Sequence, residues 1–225
     1  MVFFGSGMNR KGTMPVTALI PFRPRNPKTR LSCVLSEKER ENLADLMIRD
    51  VVAAVSEAGC RPMILSTHPY SLPGIDVEVR EAGLNEGLNR FLEEWDDPLL
   101  IIMADLPLVD SDAVKRLIST RKKMAIVPGR GGGTNAIYLS KASSFRVDYY
   151  GASFLKHTKI ARERGLSCQV VDSFRIHTDV DEKEDLVELL IHGTGFSVRY
   201  LEELGFSLSI EKGRVGVKRE KNGDE

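Results

Sequence analysis

Residues 98–110 of this 225-residue chain read PLLIIMADLPLVD. Leu99 to Ala104 forms an unbroken apolar run that stops at one carboxylate, Asp105, and then at Leu106-Pro107. A run this short, rich in Leu and Ile and without polar alternation, reads as a strand buried on both faces of a parallel sheet. Open α/β sheets bind their ligands at the carboxyl ends of the strands, and Asp105 stands at such an end. A carboxylate is costly to bury, so one placed where a core strand surfaces needs a partner, often a cation. The plainer role for such an acid is a helix cap. Asp110 and Ser111 are better placed to cap the next helix, so Asp105 is read as a metal ligand.

The rest of the chain supplies the other parts of an α/β unit. Val16–Phe22 (VTALIPF) reads as a first buried strand. Ser36 with Glu39 makes a capping box, Leu43, Leu46, Met47, Val51, Ala54, Val55 and Ala58 recur at helical spacing, and Gly59 supplies the stop. Pro62–Ser66 then completes a βαβ unit. Further strands are expected at Ile75–Val79, Ala125–Pro128, Thr134–Leu139, Ser167–Val171 and Phe174–Thr178. Helices are expected around Leu88, Phe91, Leu92 and Trp95, and over Asp112–Arg121, Ser153–Arg164, Glu182–Ile191 and Phe196–Leu204. Leu208–Ile210 and Val215–Val217 flank Lys212-Gly213 as a hairpin. The expected fold is a single α/β domain with a mixed, mostly parallel sheet flanked by helices, Rossmann-like in layout. It spans residues 15–192, with a disordered leader at 1–14, where Met8 or Met14 could be the true start, and a C-terminal helix and hairpin at 193–225. The polar end, Lys218–Glu225, is expected to fray.

Composition narrows the partners. Lys and Arg number 32 against 32 Asp and Glu, so no global field recruits nucleic acid or an anionic membrane. No apolar run is long enough to span a bilayer. Cys33, Cys60 and Cys168 are scattered, odd in number and without a CxxC, which points to reduced thiols in a cytosol.

Three features could carry chemistry. The first is Arg23-Pro24-Arg25-Asn26-Pro27-Lys28-Thr29-Arg30, four cations on a proline-stiffened loop at the end of the first strand. Fixed Arg and Lys suit a polyphosphate, although a solvated charge run is the commoner origin of such a stretch. The second is Asp105 with Asp179 and Asp181. Asp179 and Asp181 are two apart, so in extended chain both point to one side and can grip a hard cation such as Mg²⁺. Capping the helix at Glu182 explains either acid equally well. The third is Thr134-Asn135 after Gly129–Gly133, with Ser153 after Gly151. Small hydroxyls at a loop–helix entry favour an anion, and Ser153 as a simple N-cap is an equal alternative. His157 and His177 form no HxxxH, and GxSxG, Walker A and GxGxxG motifs are absent, so both histidines are read as structural.

Taken in order, Ile20-Pro21-Phe22-Arg23-Pro24, Asn26-Pro27-Lys28-Thr29-Arg30-Leu31, Gly83-Leu84-Asn85, Ala104-Asp105-Leu106-Pro107, Gly133-Thr134-Asn135, Gly151-Ala152-Ser153-Phe154 and Asp179-Val180-Asp181 resemble the 2-phospho-L-lactate guanylyltransferase family. The resemblance runs from about Val16 to Leu190. It implies a glycosyltransferase-A-like nucleotidyltransferase that joins GTP to 2-phospho-L-lactate with Mg²⁺ in deazaflavin coenzyme biosynthesis, releasing pyrophosphate. Related enzymes use phosphoenolpyruvate or 3-phosphoglycerate. On this resemblance Lys28, with Arg23 and Arg30, takes the phosphates, and Leu84, Asn85 and Asn89 line the base pocket. Asp105, Asp179 and Asp181 carry metal, while Thr134 and Ser153, beside Asn135, hold the acceptor phosphate. A homodimer is expected. The competing expectations are a nucleotidyltransferase for a sugar phosphate and a non-catalytic GTP-binding module on the same fold.

Overall fold

The computed structural model describes residues 15–211 and 213–220. The expected leader, Lys212 in the hairpin turn and the last five residues lie outside that range. In chain order the elements are β1 (Thr17–Phe22), α1 (Glu37–Glu57), β2 (Arg61–Ser66), β3 (Asp76–Val79), α2 (Leu84–Glu94), β4 (Leu99–Ile102), α3 (Ser111–Ile118), β5 (Met124–Pro128) and β6 (Thr134–Leu139). They continue with α4 (Ser153–Glu163), β7 (Cys168–Val170), α5 (Phe174–His177), α6 (Asp185–His192), α7 (Phe196–Glu203), β8 (Phe206–Glu211) and β9 (Arg214–Arg219).

Seven strands form one sheet in the order β3-β2-β1-β4-β6-β5-β7. Only β6 runs antiparallel to its neighbours, β4 and β5. The wholly apolar β4 lies in the middle and is buried along its length, whereas short, partly exposed β3 and β7 take the edges. Alternate residues of β1 and β4 face opposite layers, as the pleat requires. Ala18, Ile20, Leu100 and Ile102 join the core beneath α1, α3, α6 and α7. Leu19, Leu99 and Ile101 pack with Leu88, Phe91 and Leu92 of α2 on the other face. The chain steps outward from β1 to β3 and returns through α2 to β4 on the far side of β1. This reversal opens a crevice at the carboxyl ends of β1 and β4, the usual ligand position in such sheets.

Local sequence accounts for most element ends. Ser36 and Glu39 complete the capping box at α1, and the Asp110 carboxylate accepts from Ala113 N at 2.8 Å at the start of α3. One strand expectation is corrected: residues 174–178 form the short helix α5 and its cap. The inner strands already have both neighbours, and Asn135 draws the Ile176 and His177 carbonyls inward, at 2.9 and 3.1 Å. The helix expected from Glu182 begins at Asp185, whose carboxylate accepts from the N–H groups of Asp181 and Glu182. The N-cap of α6 is Glu184, without a side-chain cap hydrogen bond, so neither Asp179 nor Asp181 caps that helix, and the Asp185 carboxylate instead closes the turn that leads into it. The N-cap of α4 is Ala152, with Ser153 the first helical residue, so Ser153 is no cap.

The segment after residue 193 packs against α1. The Asp50 carboxylate, on α1, accepts from Phe196 N at 2.6 Å, from Ser197 N at 3.1 Å and from the Ser197 hydroxyl, so one helix caps the start of another. Only a glycine fits at 195, because a Cβ there would lie 2.1 Å from Asp50 Oδ1. Phe206 and Val217 are buried in the same core as α1, and Arg219 pairs with Glu39 of the capping box. Asp50→Ala orphans three buried or half-buried donors and is expected to lower stability by about 1–3 kcal/mol. Thermal unfolding reads the loss, and a melting temperature equal to wild type would exclude a stabilising cap.

Candidate active site

The chain leaves β1 at Phe22 and enters the cationic loop. Pro24 and Pro27 stiffen it, and Asn26 and Lys28 adopt left-handed backbone, with φ of 45° and 51°. A buried guanidinium from α1 fixes this shape. Arg40 donates to Pro27 O, Leu35 O and Asn26 Oδ1, each at 3.2 Å. Among the described residues no carboxylate forms an ion pair with Arg40, so its charge adds to the positive potential beneath the loop. Sequence reading missed this residue. The available signal was a cation on the apolar stripe of α1, three residues before Leu43 and four before Ala44.

The loop carries Lys28 across to the end of β4. Its Nζ lies 2.7 Å from Asp105 Oδ2 and 2.6 Å from Asp181 Oδ1, with the side chain 10% exposed. Burial works against the ammonium, but the Asp105 and Asp181 carboxylates outweigh it and hold Lys28 above the ordinary lysine range. The same contact holds Asp181 below the usual carboxylate range in spite of its burial. Asp179 behaves oppositely. Burial and the negative charge of Asp105 push it up, and its Oδ1 is 3.4 Å from Asn135 Nδ2. The Val180 N–H donates to Asp105 O at 3.0 Å and the Val180 side chain is buried, which ties the Asp-Val-Asp segment directly to the end of β4.

Two carboxylates, Asp105 and Asp181, thus flank one ammonium, and a third, Asp179, lies close enough to Asp105 to feel its charge. Among the described residues no three His, Cys, Asp or Glu side chains converge as a ready metal cage. Lys28 fills the gap between two of them. The donor chemistry nevertheless suits a hard cation: all oxygen, excess negative charge, and one carboxylate, Asp179, lacking a cationic partner among the described residues.

These groups open into a cleft of about 990 Å³. Arg23, Arg25, Lys28, Asp105 and Asp181 line it, and Gly83, Leu84 and Tyr150 form part of the wall. Arg23 and Arg25 are exposed. Arg30 instead turns to Glu182 at 3.3 Å and Asp181 at 3.9 Å. The other expected substrate residues are placed differently. Asn85 pairs through its amide with Tyr149 N (2.7 Å) and O (3.2 Å), and Asn89 pairs in the same way with Val147 N (2.8 Å) and O (3.0 Å). Both are anchors for the extended segment before α4. Asn135 is buried beneath the acids, where it holds the 176–179 segment. The close approach of its amide also requires glycine at 129, since a Cβ there would sit 2.2 Å from Asn135 Oδ1.

Thr134 and Ser153 are buried together behind the Gly129–Gly133 turn, 3.2 Å apart, and Thr134 Oγ1 is 3.0 Å from His157 Nδ1. His157 Nε2 accepts the Asp148 N–H at 2.9 Å, so its proton resides on Nδ1 and points to Thr134. Burial lowers the His157 pKa from 6.5 to about 4. The unfolded chain therefore takes up this proton first as pH falls, and the stabilisation is complete above about pH 6.5 and lost on descent toward pH 4. The loss at this one site is expected to reach roughly 3 kcal/mol. Urea unfolding from pH 7 to 4 should show a steeper decline for wild type than for His157→Gln, and parallel curves would refute the assignment.

Comparison with known proteins places this arrangement. Residues 16–221 match the family model described as guanylyl transferase CofC like. The chain is 57% identical over 205 residues to 2-phospho-L-lactate guanylyltransferase of Methanoculleus marisnigri, covering 90% of this chain and 95% of that protein. It is 54% identical over 202 residues to the enzyme of the same name from Methanoregula boonei, covering 90% and 94%. A structure from Desulfovibrio desulfuricans G20, described as a nucleotide-diphospho-sugar transferase, superposes with a TM-score of 0.67 at 16% identity over 84% of this chain and 94% of that one, a likeness of fold alone. With near-complete coverage and more than half of the aligned residues shared, the chain belongs to the CofC-like guanylyl transferase family.

Proposed function

We propose that this protein joins GTP and 2-phospho-L-lactate, yielding lactyl diphosphoguanosine and pyrophosphate, as the names of its relatives indicate for those enzymes. The observation that carries the reading is the Lys28 ammonium held between Asp105 and Asp181 at the crevice between β1 and β4, below a loop of further cations. Both reactants are polyanions, so their mutual repulsion must be cancelled before they can meet. Arg23 and Lys28 bind and orient the triphosphate, while Arg40 keeps the loop in the shape that presents them. A phosphate oxygen of the acceptor attacks the α-phosphorus of GTP, and the bond to the bridging oxygen of the β-phosphate breaks in line as pyrophosphate leaves. The nucleophile is already ionised, so no general base is needed, which agrees with His157 being buried and neutral. Positioning and electrostatic stabilisation supply the rate.

Asp105, Asp179 and Asp181 are the residues we assign to hold Mg²⁺, which when bound neutralises developing charge on phosphate oxygens. Thr134 and Ser153 lie behind the wall of the cleft, and in this reading they serve the acceptor phosphate by holding the loops that meet it. A homodimer in the cytosol completes the proposal. Burial pushes the Cys60 thiol up to about 11, so it stays unreactive, as a reducing compartment permits.

The deciding experiment incubates the protein with GTP, ATP, CTP or UTP and with phospholactate, phosphoenolpyruvate, 3-phosphoglycerate or a sugar phosphate, identifying products by mass. Lactyl diphosphoguanosine is the expected product. Pyrophosphate released with another acceptor would redirect the reading, and GTP binding without any acceptor-dependent release would reduce the protein to a binding module. Lys28→Ala should lose about 3–4 kcal/mol of transition-state stabilisation in kcat/KM. Asp105→Asn should abolish metal-dependent turnover while the fold persists by circular dichroism. Near-wild-type activity of Asp105→Asn would sink the metal assignment.

A further inference from the structure

Among the described residues, positive φ at a side-chain-bearing position occurs at Asn26, Lys28 and Tyr150. Asparagine tolerates that region, and Lys28 is held there by its loop. Tyr150 is a different case, because an aromatic residue at φ 80° is a backbone outlier. Such conformations persist only where the surroundings over-determine them. Here they do so on both sides. Both backbone polar groups of Tyr149 are held by the Asn85 amide, and its buried ring meets His157 edge-on at 4.8 Å. Gly151 follows at φ 59°, and its carbonyl accepts from Ser153 N at 2.8 Å as α4 begins. A glycine at 150 would adopt this backbone without penalty. The chain instead places a tyrosine there, 66% exposed and in the wall of the cleft. Its side chain has no hydrogen bond or ring contact among the described residues.

We propose that Tyr150 is a substrate-positioning residue whose ring stacks on the base of the bound nucleoside triphosphate. The inference rests on the nucleotidyl-transfer reading above and specifies one contact within it. The cleft offers two kinds of surface, cationic and apolar, with Arg80, Glu81 and Glu86 flanking Leu84 on the second. The cations Arg23, Arg25 and Lys28 suit the triphosphate. The wall formed by Leu84 and Tyr150, joined through the Asn85–Tyr149 hydrogen bonds, offers apolar and aromatic surface. The face of an aromatic ring carries partial negative charge, which suits a flat base and disfavours a small polyanionic acceptor. Asn85 and Asn89 act behind Tyr150, fixing the segment that presents it.

Backbone strain makes the test selective. Tyr150→Gly removes the ring and relieves the strained backbone, so the melting temperature should hold or rise. The Kd for GTP, by titration calorimetry, should increase roughly ten- to a hundredfold, the range of one lost base–aromatic stack. Inorganic tripolyphosphate, which has no base, should bind the variant and wild type equally. Tyr150→Phe should keep wild-type GTP affinity and acceptor KM. Equal GTP affinity in wild type and Tyr150→Gly would overturn the inference alone, as would a rise confined to the acceptor KM. Equal losses of GTP and tripolyphosphate affinity would also overturn it, by showing a general disturbance of the cleft. A wild-type protein that binds no nucleotide would overturn the functional reading and this inference with it.

Discussion

One ammonium joins the three parts of the site. Lys28 comes from the loop after β1, Asp105 from the end of β4, and Asp181 from a segment that reaches the crevice only after the whole sheet has been built. Two of the acids spend their charge on Lys28 while Asp179 is left pushed up by burial and by Asp105. The arrangement is cohesive but underneutralised, which is the condition in which a site accepts further cationic charge together with a polyphosphate. A lone salt bridge at the surface would be worth little. Here the ammonium is nearly buried and its two carboxylates are partly exposed, and the consequence is placement: the pairing fixes the positions of the groups that meet the reactants.

That placement depends on neutral hydrogen bonds behind the site. Arg40 binds three uncharged oxygens and moulds the cationic loop from below. Asn135 grips two carbonyls of the 176–179 segment from β6. Asn85 and Asn89, one helical turn apart on α2, each satisfy both backbone groups of one residue in the extended segment before α4. These polar side chains do for irregular chain what a neighbouring strand does for a sheet. Loops held in this way can sustain left-handed backbone at Asn26, Lys28 and Tyr150 without a glycine at each point.

Much of this was legible in the sequence because the signals are local. The apolar run from Leu99 to Ala104, the capping box of α1 and the glycine after it report on their own conformations, and α1 formed where expected while β4 took the first four residues of its run. The resemblance pointed to the family that the comparisons show. The strand expected at 174–178 failed because its form was decided by Asn135, some forty residues away, and by the absence of a free inner edge on the sheet. Asn85, Asn89, Thr134 and Asn135 were legible as important but not in their placement. A polar side chain near a site can touch a ligand or brace the loop that does, and the one-letter sequence is the same in both cases.

The sequence by itself determined the class of fold, the strand ends at which chemistry could sit, and the charge types available there, since these follow from short-range periodicity and residue chemistry. Tertiary structure decided which acids share Lys28, that Arg40 is buried, and that Tyr150 stands strained and exposed in the cleft wall. Those outcomes depend on contacts between residues up to 153 positions apart, as between Lys28 and Asp181. No local pattern encodes such a distance, because the cost of closing it is met by the packing of the whole sheet.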